Sequence, residues 1–194
     1  MSVPGAVATG SIDFLDSDDP VATALGTDTK QMTDTWQRDD YTISTVPARL
    51  NLDLIHNYIC NHSYWGKGRA KDVIERSIKN SLPFGIYKGD EQVGFARIVT
   101  DYATYAWVAD VFVLPEHRGR GLSKWLMEVI LAHSQLQGFR RWVLSTKDAQ
   151  GLYERFGFMP LKRPERWMER FDPNMQESPD YWANESEPPA VAGG

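Results

Sequence analysis

Trp107–Leu131 reads WVADVFVLPEHRGRGLSKWLMEVIL. Val108 to Leu114 is a nearly unbroken apolar run of β-branched and aromatic residues, which predicts a strand buried on both faces. Pro115 ends it. His117 to Gly121 is a basic, glycine-rich turn. From Leu122 onward, Trp125, Leu126, Val129 and Ile130 fall at the i+3, i+4, i+7 and i+8 spacing of an amphipathic helix.

A strand that feeds a glycine-rich turn and then a helix N-terminus is an anion site. The first amides of the helix have no internal partner, and the macrodipole favours negative charge beside them. Gly119 and Gly121 allow backbone angles and close approach that other residues forbid. Arg118, Arg120 and Lys124 add positive charge. The expected ligand is a phosphate or pyrophosphate. A Walker A loop is excluded, because no Gly-Lys-Ser/Thr follows. A dinucleotide fingerprint is excluded too, because Lys124 stands where its third glycine belongs.

Outward from this stretch the chain alternates. Tyr41 to Thr45 predicts a first strand. Two short helices follow, over Asn51–Cys60 and from Ala70 to Ile78, joined by the aromatic loop Asn61–Gly68. Phe84–Tyr87 and Gln92–Thr100 predict a hairpin across Lys88-Gly89-Asp90-Glu91. The central helix is expected from Leu122 to about Gln135. Arg140–Ser145 predicts a strand parallel to the central one, since a helix separates them. Asp148–Phe156 predicts a short helix ended by Gly157. Phe158–Leu161 and Arg166–Phe171 read as one or two final strands. Residues 1–40 are expected to be a disordered acidic extension, with one short helical turn near Gln31–Trp36. Residues 173–194 are expected to be a disordered acidic tail.

The net charge of −5 conceals an asymmetry, because the two outer segments sum to −10 and the middle to +5. A mildly basic centre suits an anionic cofactor. It is too weak and dispersed to argue for nucleic acid. No apolar run is long enough to span a membrane, and no signal peptide is expected at the N-terminus. Cys60 is the only cysteine, which excludes an internal disulfide and points to a reducing cytoplasm. The four histidines show no metal-ligand spacing, and no Gly-x-Ser-x-Gly elbow is present.

Arg118-Gly119-Arg120-Gly121-Leu122-Ser123 resembles the R/Q-x-x-G-x-G/A coenzyme A loop of the GNAT N-acetyltransferases, with Ser123 in place of the final Gly or Ala. A second stretch, Ala149 to Phe158 (AQGLYERFGF), is similar to the family's A-x-x-x-Tyr-x-x-x-Gly-Phe. The order of elements agrees with the same fold. The resemblance covers residues 41–172 and implies an α/β architecture: a mixed sheet of six to seven strands flanked by four helices. It implies a transferase that moves an acetyl group from acetyl-CoA, as co-substrate, directly to a primary amine in a ternary complex. The alternative is a non-catalytic acyl-CoA-binding or protein-interaction module with that fold. Monomer and homodimer are both open.

Acetyl transfer to an amine needs a deprotonated nucleophile, donors for the oxyanion and a proton donor near the leaving thiolate. The resemblance makes Tyr153 the acid; periodicity alone reads it equally as a packed core aromatic. Asp110 interrupts an apolar strand, where an unpaired carboxylate is costly. It reads as a base, as an anchor for the amine, as the head of a water relay or as an ion-pair partner of Arg97. The resemblance further implies that main-chain groups of Phe112 and Val113 bind the pantetheine arm, beside a bulge in that strand. Residues 118–123 would hold the pyrophosphate. The acceptor is expected between the aromatic loop (His62, Tyr64, Trp65) and the central hairpin (Asp101, Tyr102, Tyr105). Aromatic walls with acids suit a modest cationic or aromatic amine.

Overall fold

The structure, a computed structural model, describes residues 34–170. Six strands form one sheet in the order of the chain: β1 (Thr35–Arg38), β2 (Tyr41–Ser44), β3 (Leu82–Lys88), β4 (Glu91–Thr100), β5 (Tyr105–Val113) and β6 (Arg141–Val143). All neighbours are antiparallel except β5 and β6. Among the described residues four helices flank the sheet: α1 (Leu52–His62), α2 (Lys71–Lys79), α3 (Leu122–Ala132) and α4 (Gln150–Tyr153). The expected mixed sheet, meander and parallel crossover are therefore present.

Each face of the sheet has its own core. Leu122, Trp125, Leu126, Val129 and Ile130 of α3 are buried against Phe84, Ile86, Ala96, Ile98, Ala106 and Val108. On the other face, Ile55, Tyr58 and Ile59 of α1 meet Ile74 and Ile78 of α2, with Phe95 and Phe112 beneath them. Asn51 starts α1 by accepting the Leu54 amide at 3.0 Å through its side chain.

Two expectations at the margins are corrected. Thr35–Arg38 is a strand, not part of a helical turn; residues 1–33, with the first part of that expected turn, lie outside the described residues. Asp39 takes the left-handed conformation (φ 51°) in a two-residue turn, so β1 folds back on β2. Trp36 then covers Phe84 and His133 with centroid separations of 6.3 and 5.8 Å. At the other end, Phe158–Leu161 and Arg166–Arg170 form no strand. A single 3₁₀ turn at Pro164–Arg166 lies between them. Pro160 and Pro164 withdraw two donors from any ladder. Residues 171–194 also lie outside the described residues.

The central strand carries a bulge. Phe95 pairs with Phe112 and Arg97 with Ala109, so Ala96 alone faces both Asp110 and Val111. Asp110 absorbs the extra residue with φ 52°, a left-handed angle that aspartate tolerates better than most. Side-chain parity reverses there. Phe112 joins Trp107 and Ala109 on the α1–α2 face, where simple alternation would have put Val111.

Leu126 is fully buried, and Met159 is 82% exposed. Leu126→Ala is expected to cost about 2–5 kcal/mol of unfolding free energy by urea titration. Met159→Ala should stay within about 0.5 kcal/mol.

Candidate functional site

Pairing between β5 and β6 stops at Trp107 and Val143, yet β5 continues to Val113. Beyond that point the two segments part. A cleft of about 520 Å³ opens there, with Val108–Val111 on one wall and Ser145, Thr146 and Tyr153 on the other. That volume suits a small-molecule site. The α1–α2 pair covers only the Phe95–Phe112 end of its face. Arg97, Val99 and Trp107 of the same face are left to line the cleft. Tyr64 and Trp65, from the loop between α1 and α2, roof it. The Tyr64 hydroxyl accepts the Lys147 amide at 2.7 Å, tying that loop to the segment after β6.

Asp110 lies in this cleft with 5% of its side chain exposed. Arg97 donates through Nε to one carboxylate oxygen at 2.5 Å. Arg69 donates through Nη1 to the other at 3.5 Å, and through Nη2 to the Trp65 carbonyl at 3.1 Å. The pairing with Arg97 raised by the sequence is therefore present. Arg69 carried no signal of its own: it sits in a polar linker, 41 residues before Asp110.

Tyr153 closes α4. A 3₁₀ turn at Glu154–Phe156 follows, and Gly157 ends it with φ 81°. Leu152 and Phe156 pack on the α3-side core, which fixes the rotation that brings Tyr153 to the cleft. Its ring meets Phe158 edge-on at 5.9 Å. Burial pushes the phenol up to about 12, and the neighbouring Tyr64 and Asp148 add to the shift. The group is therefore a neutral donor at ordinary pH.

The glycine-rich turn has the expected form. Gly119 and Gly121 both have φ 76°, an angle that strains any residue with a Cβ. Gly121 precedes α3, which has no side-chain N-cap and no acid in its first turn. The first intrahelical bond runs from the Trp125 amide to the Gly121 carbonyl. The amides of Leu122, Ser123 and Lys124 therefore have no partner within the helix. Arg120 and Lys124 are exposed beside them. Arg118 is exposed too but reaches back to the strand: Nε donates to the Val113 carbonyl at 3.0 Å and Nη2 to the Tyr58 hydroxyl at 2.8 Å. His117 is bound too, with Nδ1 3.0 Å from the Tyr41 hydroxyl. Phe112 stacks on Tyr58 at 3.9 Å.

The remaining candidates lie apart. Asp101 caps its own hairpin, accepting the amides of Ala103, Thr104 and Tyr105 and the Thr104 hydroxyl. Those bonds hold its carboxyl well below the usual range. Tyr102 sits at the same turn with φ 57° and is 44% exposed. His62 ends α1 and lies against Tyr58. None of these three lines the cleft, whereas Tyr105 does.

Comparison with known proteins agrees with this fold. The family model for the acetyltransferase (GNAT) domain matches residues 79–160. A Gibberella zeae protein named as an acetyltransferase is 31% identical over 140 residues, covering 61% of this chain and 78% of that protein. A crystal structure from Xanthomonas campestris, named as a GNAT-family acetyltransferase, is 45% identical with a TM-score of 0.69. The match covers 72% of this chain and 98% of that one. A Deinococcus radiodurans structure at 19% identity and TM-score 0.54, covering 71% and 92%, shares the fold.

The folded chain keeps the Tyr153 proton to about pH 12, while an unfolded tyrosine releases it near 10. The stability this phenol confers is complete below pH 10 and lost as pH rises through 12. Unfolding free energy is expected to fall across that interval, and less steeply in Tyr153→Phe. Identical slopes in the two proteins would show that the phenol is not held neutral by burial.

Proposed function

The chain belongs to the GNAT acetyltransferase superfamily and has its fold, and from that membership we propose that it moves an acetyl group from acetyl-CoA to a primary amine within a ternary complex. The observation that carries this reading is that three features meet around β5: the strand brings Asp110 to a cleft opposite Tyr153 and leads at its end into the glycine-rich turn. The features are the two left-handed glycines before an uncapped helix, the bulge at Asp110 and the buried phenol of Tyr153.

The residues present suit acetyl-CoA, which supplies the acetyl group as an activated thioester. Amides from Gly119 to Lys124, with Arg120 and Lys124 beside them, hold the pyrophosphate. The main chain at the Phe112–Val113 end of β5 would offer strand-like bonds to an extended arm through groups that neither β4 nor Arg118 already engages. Arg118 braces the turn from within, since its guanidinium is already engaged by Val113 and Tyr58.

Tyr153 donates a hydrogen bond to the departing sulfur. With its phenol near 12, Tyr153 is about three units weaker as an acid than an ordinary alkyl thiol. Its contribution is therefore stabilisation of the developing thiolate. The same dry surroundings raise the sulfur's own proton affinity, shifting donor and acceptor in one direction. Both oxygens of Asp110 are engaged by guanidiniums, which favours a positioning role over direct proton abstraction. The amine's proton then leaves through water. A lone cysteine in the chain supports a reducing, cytoplasmic setting. Among the described residues, no helix is long and apolar enough to cross a membrane.

Release of free thiol from acetyl-CoA, measured with a panel of amines, tests the proposal. Tyr153→Phe should lower kcat by about 10²-fold or more with little change in KM for acetyl-CoA. Binding of acetyl-CoA without turnover on any amine would favour a binding module instead.

Gly121→Glu places a carboxylate at the pyrophosphate position and a side chain at φ 76°. Calorimetry should then detect no acetyl-CoA binding, and unchanged affinity would refute the loop assignment.

A further inference from the structure

The two guanidiniums in the cleft share one carboxylate. Asp110 offers one oxygen to Arg97 and the other to Arg69, so this wall keeps one positive charge in excess. Arg97 gives only its Nε to Asp110. Among the described residues its two terminal amino groups have no acceptor, although only 13% of the side chain is exposed. The indole N–H of Trp65, in the roof of the same cleft, is buried and also lacks a partner. The Arg97 amino groups reach the open cleft, where a ligand acceptor can take the place of water, whereas the indole N–H is an orphan that is costly to bury. Asp148, Glu169 and Arg170 also line the cleft, but among the described residues none of them pairs with Arg69, Arg97 or Asp110, so the excess is local to this wall.

We propose that the acceptor is a small amine that also bears a carboxylate, held by Arg97 with Arg69 and Trp65 in support. This rests on the acetyltransferase reading above and deepens it. A planar carboxylate presents two oxygens to the terminal amino groups of Arg97, the geometry that guanidinium recognises best. Its single negative charge matches the single excess positive charge of the Arg69–Arg97–Asp110 group, whereas a phosphate would overshoot it. Asp148, which lines the cleft with Tyr153, provides negative charge for the ammonium end. The ring faces of Trp65 and Trp107 suit an aromatic or branched side chain between the two poles.

The test uses the full chain, acetyl-CoA and matched acceptors: phenylalanine, phenylalaninamide and phenethylamine, with leucine, leucinamide and isoamylamine as a second set. Rates are referred to the unprotonated amine, so that differences in amine basicity drop out. In each set kcat/KM for the carboxylate-bearing amine is expected to exceed that of its partners by on the order of 100-fold. Arg97→Lys should reduce the preference to about 10-fold or less, and Arg69→Lys should weaken it in the same sense. Comparable rates for the three members of both sets in the wild-type chain would overturn the proposal while leaving the transferase intact. Failure of every amine, with acetyl-CoA still bound, would overturn the transferase reading and this one with it.

Discussion

Asp110 combines two features that a strand ordinarily rejects, a left-handed backbone and a buried carboxylate. The first costs about 1–2 kcal/mol for a typical residue and least for aspartate or asparagine. The second costs several kcal/mol unless the charge is paired. Arg97 and Arg69 offset the second cost, and the extra residue accommodated by the first sends Phe112 to the α1–α2 face. There Phe112 stacks on Tyr58, the Tyr58 hydroxyl accepts Arg118, and Arg118 reaches back to the Val113 carbonyl. A chain of contacts thus runs from the bulge to the glycine-rich turn. The register of one strand and the position of the anion site are therefore one structural decision.

The parting of β5 from β6 follows from the same region. Three residue pairs hold the strands together, and beyond them the main chain of β5 has no ladder partner on that side. Polar backbone inside a cleft needs water or a ligand, and an extended ligand arm satisfies it as a further strand would. The opposite wall is held by the bond between Tyr64 and Lys147. That contact fixes the height of the roof over Tyr153. The burial that raises the phenol is therefore a product of loop anchoring as much as of α4.

Legibility in the sequence differed between the two halves of the site, for a physical reason. The turn at Gly119–Gly121 and the helix after it are built from backbone. Backbone demands leave marks at fixed spacing: glycines where φ is positive, apolar residues every third or fourth position, proline at the strand end. The Tyr153 helix was readable for the same reason, since Leu152, Phe156 and Gly157 fix its rotation and its end. The acceptor wall is made of side chains from four separate stretches. Nothing in a linear pattern tells that Arg69 meets Asp110, or that Asp101 is consumed by its own turn while Tyr105 faces the cleft. Strand β1 was hidden by acidic surroundings, because its burial comes from one residue, Trp36, and its reversal from a left-handed Asp39. The final strands were read from short apolar pieces whose prolines count against a ladder.

This division bears on how the two halves tolerate change. Hydrogen bonds from amides to a pyrophosphate depend on where the backbone lies, so substitutions on the exposed side of the turn disturb them little unless they strain φ. The acceptor wall depends on charge balance among Arg69, Arg97 and Asp110, where altering one member leaves another unpaired in a dry site. Loss of a buried partner costs about 3–5 kcal/mol. Such a wall changes specificity only by concerted substitution or by recruiting a charge from the ligand. The excess positive charge there is tolerated because Arg69, 24% exposed, and the amino groups of Arg97 reach water in the open cleft. A bound anion that excludes that water must therefore replace its solvation with direct bonds, which gives a planar, singly charged group the advantage over a neutral one.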